Sequence, residues 1–435
     1  MKRLAAVLLL AAASAHADAP GASPQKLTFQ GAIELSLGQN PDIALAKEAV
    51  AGAEAHVSGQ KAHRWIALNV NASVNRWRDA YAVDFPGLGS FTLHENVTTA
   101  TTVAVSQPLT GLAYLSELVD ATEHDAKATR KAFDRARLDT AYHTADAYLR
   151  VLEARAGATV AHQSVDDIQA GLDLANKLRA ADTYTDIDVL RFKSAKAAAD
   201  QTAMRADTSA QTSLAALTVQ LGLPDGSPIE ITDDLPPAAP ALAMSLQQAQ
   251  DRAMTARPEL AAAREKIASA NNQRVAAREK YLPDVRGVAV WLHNTGVQPF
   301  SPEDEEFIGL TASWNVWDWG ATHDAVLEAE RAQNRATITA NATGEQVKLD
   351  VRRHWLEAKT QFDSLAVAQQ EQQTAEEAYR LEKVKFDNAA ATTTDVLDAE
   401  TDVARARLGI ATARYDYYLA LVALARSVGD LPDPK

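Results

Sequence analysis

Two intervals of the chain carry apolar residues at helical spacing with no proline to interrupt them. None of the sixteen prolines falls between Pro108 and Pro224, and none between Pro302 and Pro432. Glycine is sparse in the interiors of both, with Gly157 and Gly171 within 112–221 and Gly344 and Gly409 within 321–428. Both are rich in Ala, Leu, Glu, Gln, Lys and Arg, the good helix formers. Proline removes a hydrogen bond and clashes inside a helix, so its absence predicts long helices. From Ala113 to Leu178 one unbroken helix extends about 100 Å at ~1.5 Å per residue, longer than an ordinary globular domain. In the last helix Leu397, Thr401, Ala404, Leu408, Ala411, Tyr415, Tyr418, Val422 and Ala425 follow 4-3 spacing. Such a heptad stripe predicts coiled-coil packing, and its Ala and Thr content predicts close helix approach.

Between the helical intervals and the segments before them the period changes from 3.6 to 2. Ile66, Leu68, Val70, Ala72 and Val74 alternate with Ala67, Asn69, Asn71, Ser73 and Asn75. Ile308, Leu310, Ala312, Trp314 and Val316 alternate with Gly309, Thr311, Ser313 and Asn315. Val103 and Val105 mark a third, Thr-rich strand, and Val285 to Leu292 a fourth. One apolar and one polar face suits a wall between lipid and water. Six of the seven tryptophans, Trp65, Trp77, Trp291, Trp314, Trp317 and Trp319, lie at or near these strands, where an interfacial aromatic belt would place them. The competing reading is a soluble antiparallel sheet with core tryptophans.

The chain repeats itself. Leu35–Ala46 corresponds to Asp251–Ala262, and within them Asn40-Pro41 matches Arg257-Pro258, 217 residues on. Ser106-Gln107-Pro108-Leu109 corresponds to Ser313-Trp314-Asn315-Val316, and Asp188-Val189-Leu190 to Asp395-Val396-Leu397, each 207 residues on. Leu221-Gly222-Leu223-Pro224 matches the Val428-Gly429-Asp430-Leu431-Pro432 that ends the second unit. The change of offset falls in the strand region, as expected of exposed loops; those around Phe85–Phe91 and Val297–Glu305 are expected to face outward. The domain organisation follows: a first repeat at 18–224 (helix, two strands within 65–107, long helices 112–222), a Pro-rich linker at 225–244, and a second repeat at 245–432 (helix, two strands within 283–317, long helices 320–428).

Composition adds compartment and exclusions. Met1-Lys2-Arg3, an apolar run from Leu4 to Ala13 and Ala15-His16-Ala17 read as a secretory signal peptide over residues 1–17. The chain has no cysteine, so disulfides, thiol catalysis and Cys-based metal sites are excluded. No later segment reaches the ~18 uninterrupted apolar residues of a membrane helix, while barrel strands escape that test. The net charge of −14 disfavours nucleic acid and anionic lipid as partners. The ten histidines are scattered, and neither a metalloprotease motif, a nucleophile triad nor a phosphate-binding glycine loop appears. No enzyme activity and no cofactor are expected.

Layout and residues together resemble the TolC family of outer-membrane channel proteins. Leu35–Ala46 resembles that family's opening helix pair, and Gln107-Pro108-Leu109 with Gly111 its strand-to-helix junction. Phe386 through Asp395-Val396-Leu397-Asp398-Ala399 resembles its second helix–helix turn, and Ala413-Arg414-Tyr415-Asp416-Tyr417 with Gly429 its last helix. The resemblance implies a mainly α fold with transmembrane β: internally duplicated coiled-coil hairpins, plus four strands per chain contributing to a trimeric twelve-stranded β-barrel. It further implies a homotrimer embedded in outer-membrane lipid with its helices in the periplasm. A periplasmic adaptor (membrane fusion protein) and an inner-membrane pump would be its partners in efflux or type I secretion. The alternative is a periplasmic coiled-coil adaptor or scaffold.

The family narrows its periplasmic end around aspartates at the second helix turn. Matching positions are Asp395 and Asp398, with Asp188 as the first-repeat counterpart and Phe386 where some members carry a gate-locking tyrosine. Rings of carboxylates around an aqueous entrance favour cations. The same acids suit helix N-caps, because each follows a Thr-rich turn. Ala391 stands where those members carry a locking arginine, so the locking bonds are not expected to carry over.

Overall fold

The computed structural model describes residues 25–232, 239–297, 302–388 and 390–432. The expected signal peptide, Pro236 and Pro237 of the linker, part of the loop after Val297, and Ala389 lie outside them.

The elements run β1 (Gln25–Leu27), α1 (Phe29–Gln39), α2 (Pro41–Ala62), β2 (Ala67–Arg76), β3 (Tyr81–Phe85), β4 (Gly89–His94), β5 (Val97–Pro108), α3 (Gly111–Ala180) and α4 (Asp186–Gln220). They continue with β6 (Ile229–Ile231), α5 (Leu246–Ala256), α6 (Pro258–Glu279), β7 (Asp284–Thr295), β8 (Asp304–Ser313), α7 (Ala321–Asp387) and α8 (Thr393–Val428). The proline-free intervals are the four long helices. α3 has 70 residues and α7 has 67, each about 100 Å or a little more at ~1.5 Å per residue.

The duplication extends to single hydrogen bonds. Asn40 and Arg257 each precede a proline at the first position of a 22-residue helix. Asn40 donates from Nδ2 to the Gln220 carbonyl at 2.8 Å, and Arg257 from Nη1 to the Ser427 carbonyl at 3.1 Å. These acceptors sit at equivalent places near the ends of α4 and α8, just before Gly222 (φ +78°) and Gly429 (φ +91°). A Cβ on Gly222 would stand 2.5 Å from the Gln39 carbonyl oxygen. Left-handed backbone and close approach therefore coincide, which explains why glycine ends both helices.

Among the described residues, three hydrophobic clusters hold the helices. The largest gathers Phe29, Ile33, Tyr148, Leu149, Leu217, Tyr415 and Tyr418 around α3 and α8. Phe29 meets Tyr148 edge to face at 5.4 Å. A second joins α5 and α6 to α7 and α8 through Ala253, Leu260, Val351 and Leu424. The third binds the far tips of α3–α4 and α7–α8.

Two sequence expectations need correction. The heptad stripe of α8 does not form one continuous packed seam. Its upper part, Tyr415, Tyr418 and Val422, is buried, but Leu397, Thr401, Ala404 and Leu408 line an open groove of about 810 Å³ between α3, α4 and α8. Lower down, α8 buries Val396, Val403 and Ala406 instead. The cause is that α8 has neighbours on two sides, so a single stripe cannot serve both. The linker also contains structure: Ile229–Ile231 forms β6, parallel to β1, and completes the largest cluster with Ile229 and Ile231.

The glycine geometry gives a direct test. Gly222→Ala should destabilise the protein by about 1–3 kcal/mol, from the left-handed backbone and the carbonyl clash together. Gly226→Ala, at φ +81° but in open space, should cost less. Urea unfolding midpoints of the two variants compare them, and equal midpoints would remove the close approach as the reason for glycine.

Candidate functional site

The molecule presents a sheet at one end of its helices and two hairpin tips at the other. β2, β5, β7 and β8 form a four-stranded sheet in that order, each neighbour antiparallel. Leu68 pairs with Val105, Val105 with Ala289 and Ala289 with Ile308, a continuous apolar row across all four strands. The next row on the same face is Val70, Val103, Trp291 and then Glu306. Leu68, Val70, Val74, Ile308 and Leu310 are all exposed. β2 has ten residues, about 33 Å of strand, which at a ~40° tilt rises about 25 Å, the height of the apolar band of a barrel.

The opposite face departs from the expected polarity. Asn69 and Asn71 of β2 share rows with Val290 and Phe307 and with Leu292 and Glu305, respectively. The clean apolar/polar alternation belongs to β2 and weakens toward β8. β8 also ends at Ser313, so Trp314 and Val316 lie beyond the strand.

All six strand-region tryptophans are exposed, from 40% for Trp291 to 89% for Trp319. That excludes the soluble sheet with core tryptophans. Trp65, Trp314, Trp317 and Trp319 collect at the helix side of the sheet, where Trp314 donates to the Tyr281 carbonyl at 3.1 Å. Trp77 stands at the far end, donating to Thr98 Oγ1 at 3.1 Å, and Trp291 lies four residues before the end of β7. Beyond the sheet, the loop expected around Phe85–Phe91 is an antiparallel hairpin, β3–β4, with Phe85 against Phe91 at 5.7 Å.

At the tips, Asp188 and Asp395 are helix caps. Thr185 donates to Asp188 Oδ2 from its backbone N–H at 2.9 Å and its hydroxyl at 2.7 Å, and Thr392 does the same to Asp395 at the same distances. These are reciprocal capping boxes. The bonds from Thr185 hold the Asp188 carboxyl below its ordinary range, and those from Thr392 do so for Asp395. Asp398 is exposed one turn further along α8.

Phe386, grouped with the gate positions by the resemblance, is 1% exposed and packed against Tyr184 at 5.1 Å and Phe192 at 5.7 Å, so its part at the tips is one of packing. Gly171 makes room for this cluster, since a Cβ there would stand 2.5 Å from the Phe192 ring. The two tips are also tied by hydrogen bonds that the sequence did not reveal. Tyr184 donates from its hydroxyl to the Ala391 carbonyl at 2.7 Å, Thr393 to Asp188 Oδ1 at 2.9 Å, and Arg191 to Thr394 Oγ1 at 3.0 Å. Burial, then the Asp188 charge, raises the Tyr184 hydroxyl pKa, so it stays a donor.

The comparisons with known proteins bear on this arrangement. The outer membrane efflux protein family matches residues 32–223 and again 249–430. The chain belongs to that family. Its location is accordingly the outer membrane. Among solved structures similar to it, CusC superposes with a TM-score of 0.80 at 15% identity, covering 92% of each chain. The Campylobacter jejuni CmeC outer membrane channel gives 0.77 at 16%, covering 92% of this chain and 85% of that one. The Vibrio cholerae outer membrane protein VceC gives 0.76 at 18%, covering 93% and 97%. These are likenesses of fold. No curated protein sequence matches. Among the described residues no helix is long and apolar enough to cross a membrane, and no cluster of His, Asp and Glu is arranged to hold a metal.

The tip cluster predicts local loosening. Phe192→Ala, a fully buried truncation of the kind that costs about 3–5 kcal/mol, should speed trypsin cleavage near Arg179 and Lys385 while leaving distant helix sites protected. Uniform loss of protection along the helices would mean that the cluster supports the whole bundle instead.

Proposed function

We propose that this protein is the outer-membrane exit duct of a tripartite efflux or type I secretion assembly, with three copies joined into one channel. The observation that carries this reading is the exposed apolar sheet with two open edges. β2 and β8 each pair on one side only among the described residues, and unpaired strand edges are not tolerated in lipid. Four strands fall short of the ~8 of the smallest barrels, so copies must pool them. With all neighbours antiparallel, β2 and β8 run in opposite directions. One chain's β8 can then pair with the next chain's β2 and keep the alternation. Three chains supply twelve strands, and their helices continue the wall some 100 Å into the periplasm, where an adaptor and an inner-membrane pump would meet it.

At the periplasmic end, Asp398 with Asp395 and Asp188 is read as an acidic entrance. Each carboxylate, repeated in three chains, raises the local cation concentration. Asp188 and Asp395 also hold helix ends, so charge and structure are mixed in them. Asp398 carries charge without a cap. The tie between the tips falls to Tyr184, Thr393 and Arg191, in place of the tyrosine and arginine that Phe386 and Ala391 replace.

Two measurements test this. Fractionated membranes should yield a heat-resistant trimer extracted from the outer membrane by detergent; a soluble monomer ends the proposal. In planar bilayers Asp398→Asn should lower cation-over-anion preference while leaving helix content unchanged, and an unaltered preference removes Asp398 from the entrance.

The capping aspartates fix the sign of the pH response. Their carboxyl pKa values are depressed, so the stability they add is present above the ordinary Asp value of about 3.9 and is lost as pH falls through the depressed one. Protection of the tips from trypsin should therefore persist through mildly acidic pH, and the contribution of the two caps should be lost only below about 3.9. Loss of tip stability near neutrality would assign it to groups other than these caps.

A further inference from the structure

Between the largest cluster and the tips, the two hairpins α3–α4 and α7–α8 meet where α3 packs against α8 beside the open groove. Glu400 sits in that seam. It is 5% exposed, on the wall of the open groove between α3, α4 and α8. Its carboxylate accepts a hydrogen bond from the Ser164 hydroxyl of α3. Among the described residues no ion pair is made to it. Arg407 of α8, the nearest guanidinium, is already divided between Asp167 of α3 at 3.1 Å and Glu376 of α7 at 3.2 Å.

The surrounding elements offer no other compensation. α7 presents Tyr379, whose hydroxyl is pushed up to about 12, first by burial and then by Asp167 and Glu400, so it remains neutral. α4 faces the groove with Ala195, Ala198, Ala199 and Thr202, while its Lys196 and Asp200 pair with each other. Further up the groove, Arg150 is held by Asp146 and Arg405 by Asp402. Burial pushes the Glu400 carboxyl upward, and Asp167 adds to this against Ser164 and Arg407. Glu153, on the same groove wall, is raised for the same first reason.

We propose that Glu400 is a proton-operated latch between the two hairpins: neutral, it seats α8 on α3, and ionised, it draws water from the groove and lets α8 move away. The proton passes to and from groove water. An ionised carboxyl buried without a cation is costly, and the adjoining groove means that a small displacement of α8 is enough to hydrate it. Because the folded-state value lies above the unfolded one, the contribution to the seated state is complete below the unfolded value. It is lost as pH rises through the folded value. The consequence for passage through the tips rests on reading them as an entrance; the latch itself does not.

The absence of cysteine allows a clean test in the full-length protein. Thr159→Cys on α3 and Gly409→Cys on α8, both exposed, carry spin labels, in samples diluted with unlabelled chain. The label separation measured from about pH 5 to 9, a range that brackets a raised carboxyl, should shift to longer distances as pH rises. Glu400→Gln should hold the short distance throughout, and Ser164→Ala, which removes a donor to the ionised form, should move the transition to higher pH. A separation independent of pH, or the same shift in Glu400→Gln, overturns the latch. A shift in separation without any matching change in bilayer conductance leaves the latch standing and overturns the reading of the tips as an entrance.

Discussion

Everything else in this molecule depends on the backbone groups along the outer edges of β2 and β8. In water an exposed edge is satisfied by solvent, but in hydrocarbon each unpaired N–H or C=O costs several kcal/mol. In the proposed duct the exposed face that displays Leu68, Val70, Ile308 and Leu310 lies in lipid, where the edges beside it could not stay unpaired. Association would then be a condition of the inserted fold. The alternating strand directions let identical copies meet edge to edge, and on the same proposal the exposed tryptophans lie where the sheet would leave the apolar layer.

The helical part answers a different constraint. Helices of 70 and 67 residues expose far too much surface for one core, and the packing is divided between two clusters side by side at mid-length and another at the tips. Between them, small residues bring α3 and α8 together without filling the space, which leaves the groove beside Glu400. Buried apolar packing is thus concentrated at mid-helix and at the tips, with a looser stretch between. Such an arrangement favours movement of one hairpin against the other without unfolding either.

Much of this was legible in the sequence, for local reasons. Proline placement reports helix length directly, since the chain cannot be helical through it. The equivalence of Asn40-Pro41 with Arg257-Pro258 carries one structural solution used twice, down to the carbonyls of Gln220 and Ser427. The Thr-to-Asp spacing of both capping boxes is likewise a local pattern. What stayed hidden depends on residues distant in sequence. β1 and β6 are three-residue strands about 200 positions apart whose pairing has no period to display. The heptad stripe of α8 named an apolar face without saying which neighbour would cover it. The β3–β4 hairpin fell where glycine and aromatic residues read as a loop.

The tips make the same distinction inside a few residues. From its motif, Phe386 stands where some relatives carry a polar locking group; in three dimensions it is the floor on which Tyr184 and Phe192 rest. The polar tie comes from the other hairpin, where Tyr184 reaches the Ala391 carbonyl, a backbone acceptor that needs no side chain. Asp188 shows the resulting economy: one oxygen closes its own helix cap with Thr185 while the other receives Thr393 across the junction. Its charge is therefore committed to structure before it can act on any ion. On the proposal of an acidic entrance, that role would fall chiefly to Asp398, which lies beyond the capping box of α8.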